Sequence, residues 1–170
     1  MPDGVHHQTT LLAWLKAAII GRKPKTTLIR LVVLVAVSVV VFGFVLLPSR
    51  ITGLSMLPTY QDGSINFVNR LAFLFREPRR GDIVGIRLSG TSVMFCKRII
   101  GLPGESIEFV RGRVRIDGRL LDEPYVKFPS DSEREPIRLG LDQYYVAGDN
   151  RSVSENGAVR RDRIVGKMLL

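Results

Sequence analysis

Hydrophobic positions follow two different patterns along the 170 residues. From Leu31 to Leu47 the chain reads LVVLVAVSVVVFGFVLL, 17 residues without a charge; counted from Leu28 it is 20 residues broken only by Arg30. No polar face recurs at helical spacing, so a helix here needs apolar surroundings on all sides. Twenty helical residues span about 30 Å, the thickness of a hydrocarbon core. The run predicts a transmembrane helix over 28–47, with Arg30 near enough to its end for the stem to snorkel to the headgroups. It exceeds the roughly 7–15 residues of a cleavable signal core. Leu47-Pro48-Ser49-Arg50 offers no small-x-small site, so an uncleaved anchor is expected. Leu11–Ile20 (LLAWLKAAII) is too short to span. It reads equally as an interfacial segment with Trp14 at headgroup depth or as a short soluble helix.

Beyond Pro48 the pattern becomes short β-branched and aromatic runs. Residues 64–68, 82–88, 93–100, 106–110, 113–116, 143–147 and 163–168 predict strands. Turn chemistry separates them: Gly90, Pro103-Gly104, Arg111-Gly112, Asp117-Gly118 and Gly148-Asp149-Asn150. Val110-Arg111-Gly112-Arg113 predicts a tight hairpin and Asp117-Gly118 a second turn. Residues 122–141, with Pro124, Pro129, Pro136 and many charges, read as a surface excursion. The expected fold is mostly β: an antiparallel sheet domain over 48–170 with a small cap, behind a segment over 1–27 and an anchor over 28–47.

Charge adds an orientation. Lys and Arg number 25 against 16 Asp and Glu, a net +9, and residues 1–50 hold +5 of it. Arg22, Lys23 and Lys25 precede the span, Arg30 lies near its start, and only Arg50 closely follows. The positive-inside rule then places the N-terminus in the cytoplasm and the β domain outside. The outer region lacks the dense aromatic and basic patch of a nucleic-acid binder, so no nucleic-acid partner is expected. There is one cysteine, Cys96, and the two histidines are His6 and His7. An intrachain disulfide, a Cys-rich metal site and a histidine base in the outer domain are thereby excluded. What remains is an Asp/Glu pair, a lysine base or a bound cofactor.

Two segments carry candidate chemistry. In Gly53-Leu54-Ser55-Met56-Leu57-Pro58-Thr59 a serine sits between glycine and proline, on a turn where its hydroxyl can project and backbone N–H groups can converge. In Val93–Ile100 strand alternation puts Val93, Phe95, Lys97 and Ile99 on one face, with Arg98 opposite as a surface ion-pair partner. A lysine on an apolar face is costly when charged, and desolvation lowers its pKa toward that of a usable base. Without histidine, a Ser–Lys dyad is the nucleophile arrangement these residues can supply.

At this point the motifs resemble a known family. Ser55-Met56-Leu57-Pro58-Thr59 is similar to the nucleophile box of type I signal peptidases and Arg80-Gly81-Asp82-Ile83-Val84 to a substrate-facing strand. Lys97-Arg98-Ile99-Ile100-Gly101-Leu102-Pro103-Gly104 resembles the general-base box, and Gly148-Asp149-Asn150-Arg151-x-x-Ser154 the last box. The resemblance runs in order from about Ile51 to Lys167. It implies a single-pass serine endopeptidase of the bacterial cytoplasmic membrane, without metal or cofactor. Such an enzyme cuts signal-peptide-bearing preproteins after Ala-x-Ala-type sites, and membrane lipid is its other expected partner. Ser55 would be the nucleophile, its N–H an oxyanion donor, Lys97 the general base and Ser154 the residue orienting it. Asp149 and Arg151 would brace the site. The substrate would pair beside Asp82–Ile86, with Asp82, Ile83 and Val84 facing it. Thr52, Met56, Tyr60, Phe95 and Cys96 would form the pockets.

Two departures stand out. Gly53 occupies a position where some members place a serine. Glu155-Asn156-Gly157-Ala158 replaces the family's x-Asp-Ser-Arg, so the usual acidic–arginine pair cannot form, and Glu155 or Arg160 are the candidates to replace it. Competing readings are a dedicated conjugation or pilin-maturation peptidase with the same dyad and a non-catalytic anchored β domain. A Ser–Lys autoproteolytic repressor would need a DNA-binding domain where residues 1–50 hold a span.

Overall fold

The computed structural model describes residues 24–87 and 94–169. The expectations for Leu11–Ile20, His6, His7, Gly90 and Val93 lie outside these residues. The chain divides into two units, with the boundary at Gly43/Phe44.

The first unit holds helix α1, Pro24–Val40, which continues as a single wider turn through Val45. Within the 22 residues Pro24–Val45 an 18-residue stretch reaches a mean hydropathy of 2.8, and none of α1 is buried. The expected run to Leu47 is shortened at this end: Leu46 and Leu47 open strand β1, Leu46–Arg50. Both environments accept leucine, and Leu47 here packs on a core cluster with Ile51, Met56 and Val68.

The second unit is two antiparallel sheets. The remaining strands are β2 Ile65–Asn69, β3 Ile83–Arg87, β4 Met94–Gly101, β5 Ser106–Val110, β6 Arg113–Ile116 and β7 Arg119–Leu120. They continue with β8 Arg134–Arg138, β9 Gln143–Ala147, β10 Gly157–Arg160 and β11 Ile164–Met168. Seven form one sheet in the order β1-β2-β11-β3-β4-β9-β10, and four the other, β7-β6-β5-β8. Both predicted turns are present: Val110 pairs with Arg113 and Ile116 with Arg119. Arg111-Gly112 and Asp117-Gly118 each have positive φ at both positions, as a type I′ hairpin requires.

Strand alternation fixes what each face buries. Val84, Ile86, Ile99, Tyr144, Val146 and Ile164 form a cluster with Phe73. Ile51, Met56, Tyr60, Val68, Ile83 and Met168 form a second on the opposite face of β3. A third, around Ile107, Phe109, Val114 and Tyr145, belongs chiefly to the smaller sheet.

The topology overturns one expectation. β3 is not open to a substrate strand: β11 pairs it on one side and β4 on the other. The open backbone is on β4. Strand β9 pairs only with Arg98–Gly101, and among the described residues no strand covers that side of Met94–Lys97.

Candidate active site

Ser55 lies in the turn between β1 and β2. Gly53, at φ 93°, reverses the chain, and its N–H donates to Asp62 Oδ1 at 2.8 Å. The turn is then held from across the fold: Asn150 N–H donates to Ser55 O at 3.0 Å and Asn150 Nδ2 to Leu54 O at 3.1 Å. The backbone N–H of Ser55 donates to none of the described residues.

Lys97 comes from the middle of β4. Its register partner is Val84, and Ile86 lies opposite Phe95 on the same face. Lys97 is 7% exposed. Burial among these apolar groups pushes its pKa below the ordinary 10.5, and the nearby Cys96 and Glu155 only partly oppose this. Its Nζ donates to Ser154 Oγ at 2.8 Å.

Ser154 Oγ is the hub of a small network. It accepts from Lys97 and from Gly148 N–H at 2.9 Å. Its proton then has two acceptors in reach, Asn156 Oδ1 at 3.0 Å and Glu155 O at 3.2 Å. Asn156 Oδ1 also accepts from Gly148 N–H at 3.3 Å. Gly148 permits this convergence, because a Cβ there would overlap both Ser154 Oγ and the carbonyl oxygen of Ser55.

Ser55 and Lys97 line one open cleft of about 570 Å3, shared with Thr52, Phe95, Val146 and Val153. Ser55 also borders a recess of about 50 Å3, lined by Ile51, Thr52, Met56, Gly85, Met94, Phe95 and Cys96 among others. Thr52, Met56, Phe95 and Cys96, which the resemblance implied as pocket residues, line this recess. Burial pushes the Cys96 thiol up to about 12, so it lines the wall as an un-ionised group.

Other expected pocket residues point elsewhere. Tyr60 is buried in the core and donates its hydroxyl to Leu169 O at 3.1 Å. Ile83 and Val84 are core side chains on opposite faces of β3. Asp82 is committed to Arg76 at 2.8 Å and Lys167 at 2.9 Å. Burial alone would raise its pKa, but bonds from Arg76, the Arg79 N–H and Lys167 outweigh that and hold it at about 2.

The bracing is built differently from the sequence expectation. Arg98 is no surface partner: its Nε and Nη2 donate to Asp149 at 2.8 and 2.6 Å, and the Asp149 side chain is fully buried. Thr59 also donates to Asp149, so one carboxylate joins the serine turn, β4 and the last box. The Arg98 guanidinium stacks 4.0 Å from the Tyr125 ring centroid. Arg151 donates to Gly148 O at 2.8 Å and pairs with Glu123 at 2.6 Å, which ties the 122–141 excursion onto the box. Neither Glu155 nor Arg160 replaces the missing pair. Arg160 binds Asp142 at 3.1 Å, Glu155 is exposed, and the neutral Asn156 takes the position. Gly148, Asn150 and Asn156 were not among the expected site residues; the signal for the first two was the Gly-Asp-Asn turn of the last box, and for Asn156 its place where the family has an acidic residue.

The chain is similar to known proteins over most of its length. The family model described as "Signal peptidase, peptidase S26" matches residues 25–170. Signal peptidase I of Leptolyngbya laminosa is 36% identical over 128 residues, covering 68% of this chain and 63% of that protein. Signal peptidase I T of Bacillus subtilis (strain 168) is 32% identical over 151 residues, covering 80% and 78%. A solved signal peptidase I from Enterococcus faecalis V583 is 24% identical with a TM-score of 0.46, over 55% of this chain and 98% of that one. The chain thus spans less than two thirds of the Leptolyngbya relative's length. With the match running from within α1 to the C-terminus, the chain belongs to the signal peptidase family, peptidase S26.

Proposed function

We propose that this protein is a membrane-anchored serine endopeptidase that removes signal peptides from preproteins, with Ser55 as nucleophile and Lys97 as general base. The observation that carries the reading is the environment of Lys97, a nearly buried amine with lowered pKa in the cleft that Ser55 lines. A neutral amine that donates to Ser154 keeps a lone pair for the Ser55 proton. Ser55 Oγ then attacks the scissile carbonyl, and the developing oxyanion is received by the Ser55 N–H. Lys97, now protonated, returns the proton to the leaving amine, and a water repeats the cycle on the acyl-enzyme.

The preprotein would lie extended along the open side of Met94–Lys97, adding a strand to β4. Its residue before the cut would enter the recess of about 50 Å3, which suits a methyl-sized side chain and supports Ala-x-Ala specificity. Pro24–Val45 would be the anchor, with the N-terminus in the cytoplasm and the β domain outside.

The test is cleavage of an Ala-x-Ala preprotein by the full chain in detergent. Ser55→Ala and Lys97→Ala should each lose at least about 10³-fold in kcat while keeping the wild-type circular dichroism spectrum. Retention of most activity by Lys97→Ala would rule out the base assignment.

A further inference from the structure

A second cleft, of about 370 Å3, is lined by Arg70, Arg87, Arg163, Asp162 and Val165. Arg70 follows β2, Arg87 closes β3 and Arg163 immediately precedes β11, so the pairing of these strands brings all three to one end of the larger sheet. None of the three guanidinium groups has a hydrogen-bond or ion-pair partner among the described residues. Arg76, Arg80, Arg98 and Arg151, by contrast, are each ion-paired. Among the described residues lining the cleft Asp162 is the one carboxylate, and it lies 3.7 Å from Arg160, so three arginines face a single negative charge. Three guanidinium-bearing side chains lining one cleft repel one another unless an anion joins them, and their planar forks match phosphate oxygens.

Two independent features say which phosphate. The Arg70 N–H donates to Val45 O at 2.9 Å, and Val45 is the last residue of the apolar helix. Arg70 is therefore fixed where the chain leaves that helix. Directly after it come Leu71, Leu74 and Phe75, exposed by 42%, 64% and 96%, while Phe73 between them is buried in the core. Cations bordered by exposed leucine and phenylalanine are the composition of a surface that lies in the headgroup layer.

We propose that the Arg70–Arg87–Arg163 cleft seats the phosphate of an anionic phospholipid headgroup, with Leu71, Leu74 and Phe75 entering the interfacial layer beside it. The inference rests on Pro24–Val45 as a membrane span and is independent of the peptidase reaction.

The test uses the full chain in micelles of a neutral detergent, titrated with dioctanoyl phosphatidylglycerol, dioctanoyl phosphatidylcholine or inorganic phosphate. Binding is read as the rise of the thermal unfolding midpoint with ligand concentration. Phosphatidylglycerol should bind at least about tenfold tighter than either other probe. Arg70→Gln, Arg87→Gln and Arg163→Gln should each weaken it several-fold. Arg138→Gln, an exposed arginine of the other sheet, should leave it unchanged. The arginines in question are exposed or half-buried, so the variants should keep the wild-type midpoint without lipid. Equal binding of phosphatidylcholine, equal binding of inorganic phosphate, or undiminished binding by the glutamine variants would each overturn the proposal. Flotation of the chain with vesicles tests the span itself, and its failure would appear there and not in the micelle titration.

Discussion

Replacing Asn156 by aspartate places a charge where this chain has a neutral amide. Asn156 Oδ1 is 3.0 Å from Ser154 Oγ, which is 2.8 Å from Lys97 Nζ. A carboxylate oxygen there would lie no more than about 6 Å from the ammonium. At an effective dielectric of about 20 the attraction is about 3 kcal/mol, and in bulk water about 0.7 kcal/mol. Each 1.36 kcal/mol favouring the ammonium lowers the neutral fraction about tenfold below the pKa. Asn156→Asp should therefore reduce kcat/KM at pH 7 by roughly 3- to 100-fold and recover most of it at alkaline pH. Glu155→Gln works in the opposite direction. Glu155 already raises the Lys97 pKa, so its removal should move the acidic limb of the profile to lower pH, by less because the side chain is exposed. The assay is kcat/KM for a peptide spanning an Ala-x-Ala site, measured from pH 5 to 10. A uniform loss with an unmoved limb, or a limb moved to lower pH in Asn156→Asp, would refute the electrostatic account.

Other variants test the framework. Gly148→Ala should displace Ser154 and the Ser55 carbonyl together, so activity should fall far more than the unfolding free energy, which overpacking lowers by about 1–3 kcal/mol; peptide cleavage and urea titration on one sample separate the two. Asp149→Ala strands the Arg98 guanidinium and should cost about 3–5 kcal/mol, read as a lower urea midpoint with an unchanged slope. Asp82 has a pKa of about 2 against the ordinary 3.8, so the unfolded chain takes up that proton first. Its contribution is complete above pH 4 and lost as pH falls toward 2; the acid-induced drop in unfolding midpoint over that window should shrink in Asp82→Asn.

How far the sequence could be read depends on what each signal encodes. β5, β6 and β9 were legible to the residue because alternation and turn dipeptides are local properties. β8 was not: Arg134–Arg138 is exposed throughout and carries Pro136, so nothing in its pattern says strand. β1 was hidden inside the apolar run, and its Pro48 is tolerated because β1 is an edge strand. The serine and the lysine were identifiable chiefly through the boxes that resemble a known family; a lysine on an apolar face adds a physical signal of its own, a serine on a turn little. Their supports were not, because Arg98, Asp149 and Asn150 act through partners 17 to 96 positions away. Alternation placed Arg98 off the lysine's face but could not reveal the buried carboxylate beneath it. It also marked β3 as a strand without revealing that both its edges are occupied.

The half-covered state of β4 bears on selection by backbone chemistry rather than by side-chain size. A preprotein strand aligned with Met94–Lys97, as proposed above, would have to present amide hydrogens at alternate positions, so an imino acid there would forfeit a rung. Sequences around a cut site would accordingly be filtered twice, once by the small recess and once by whether they can lie flat as a rung-forming ribbon.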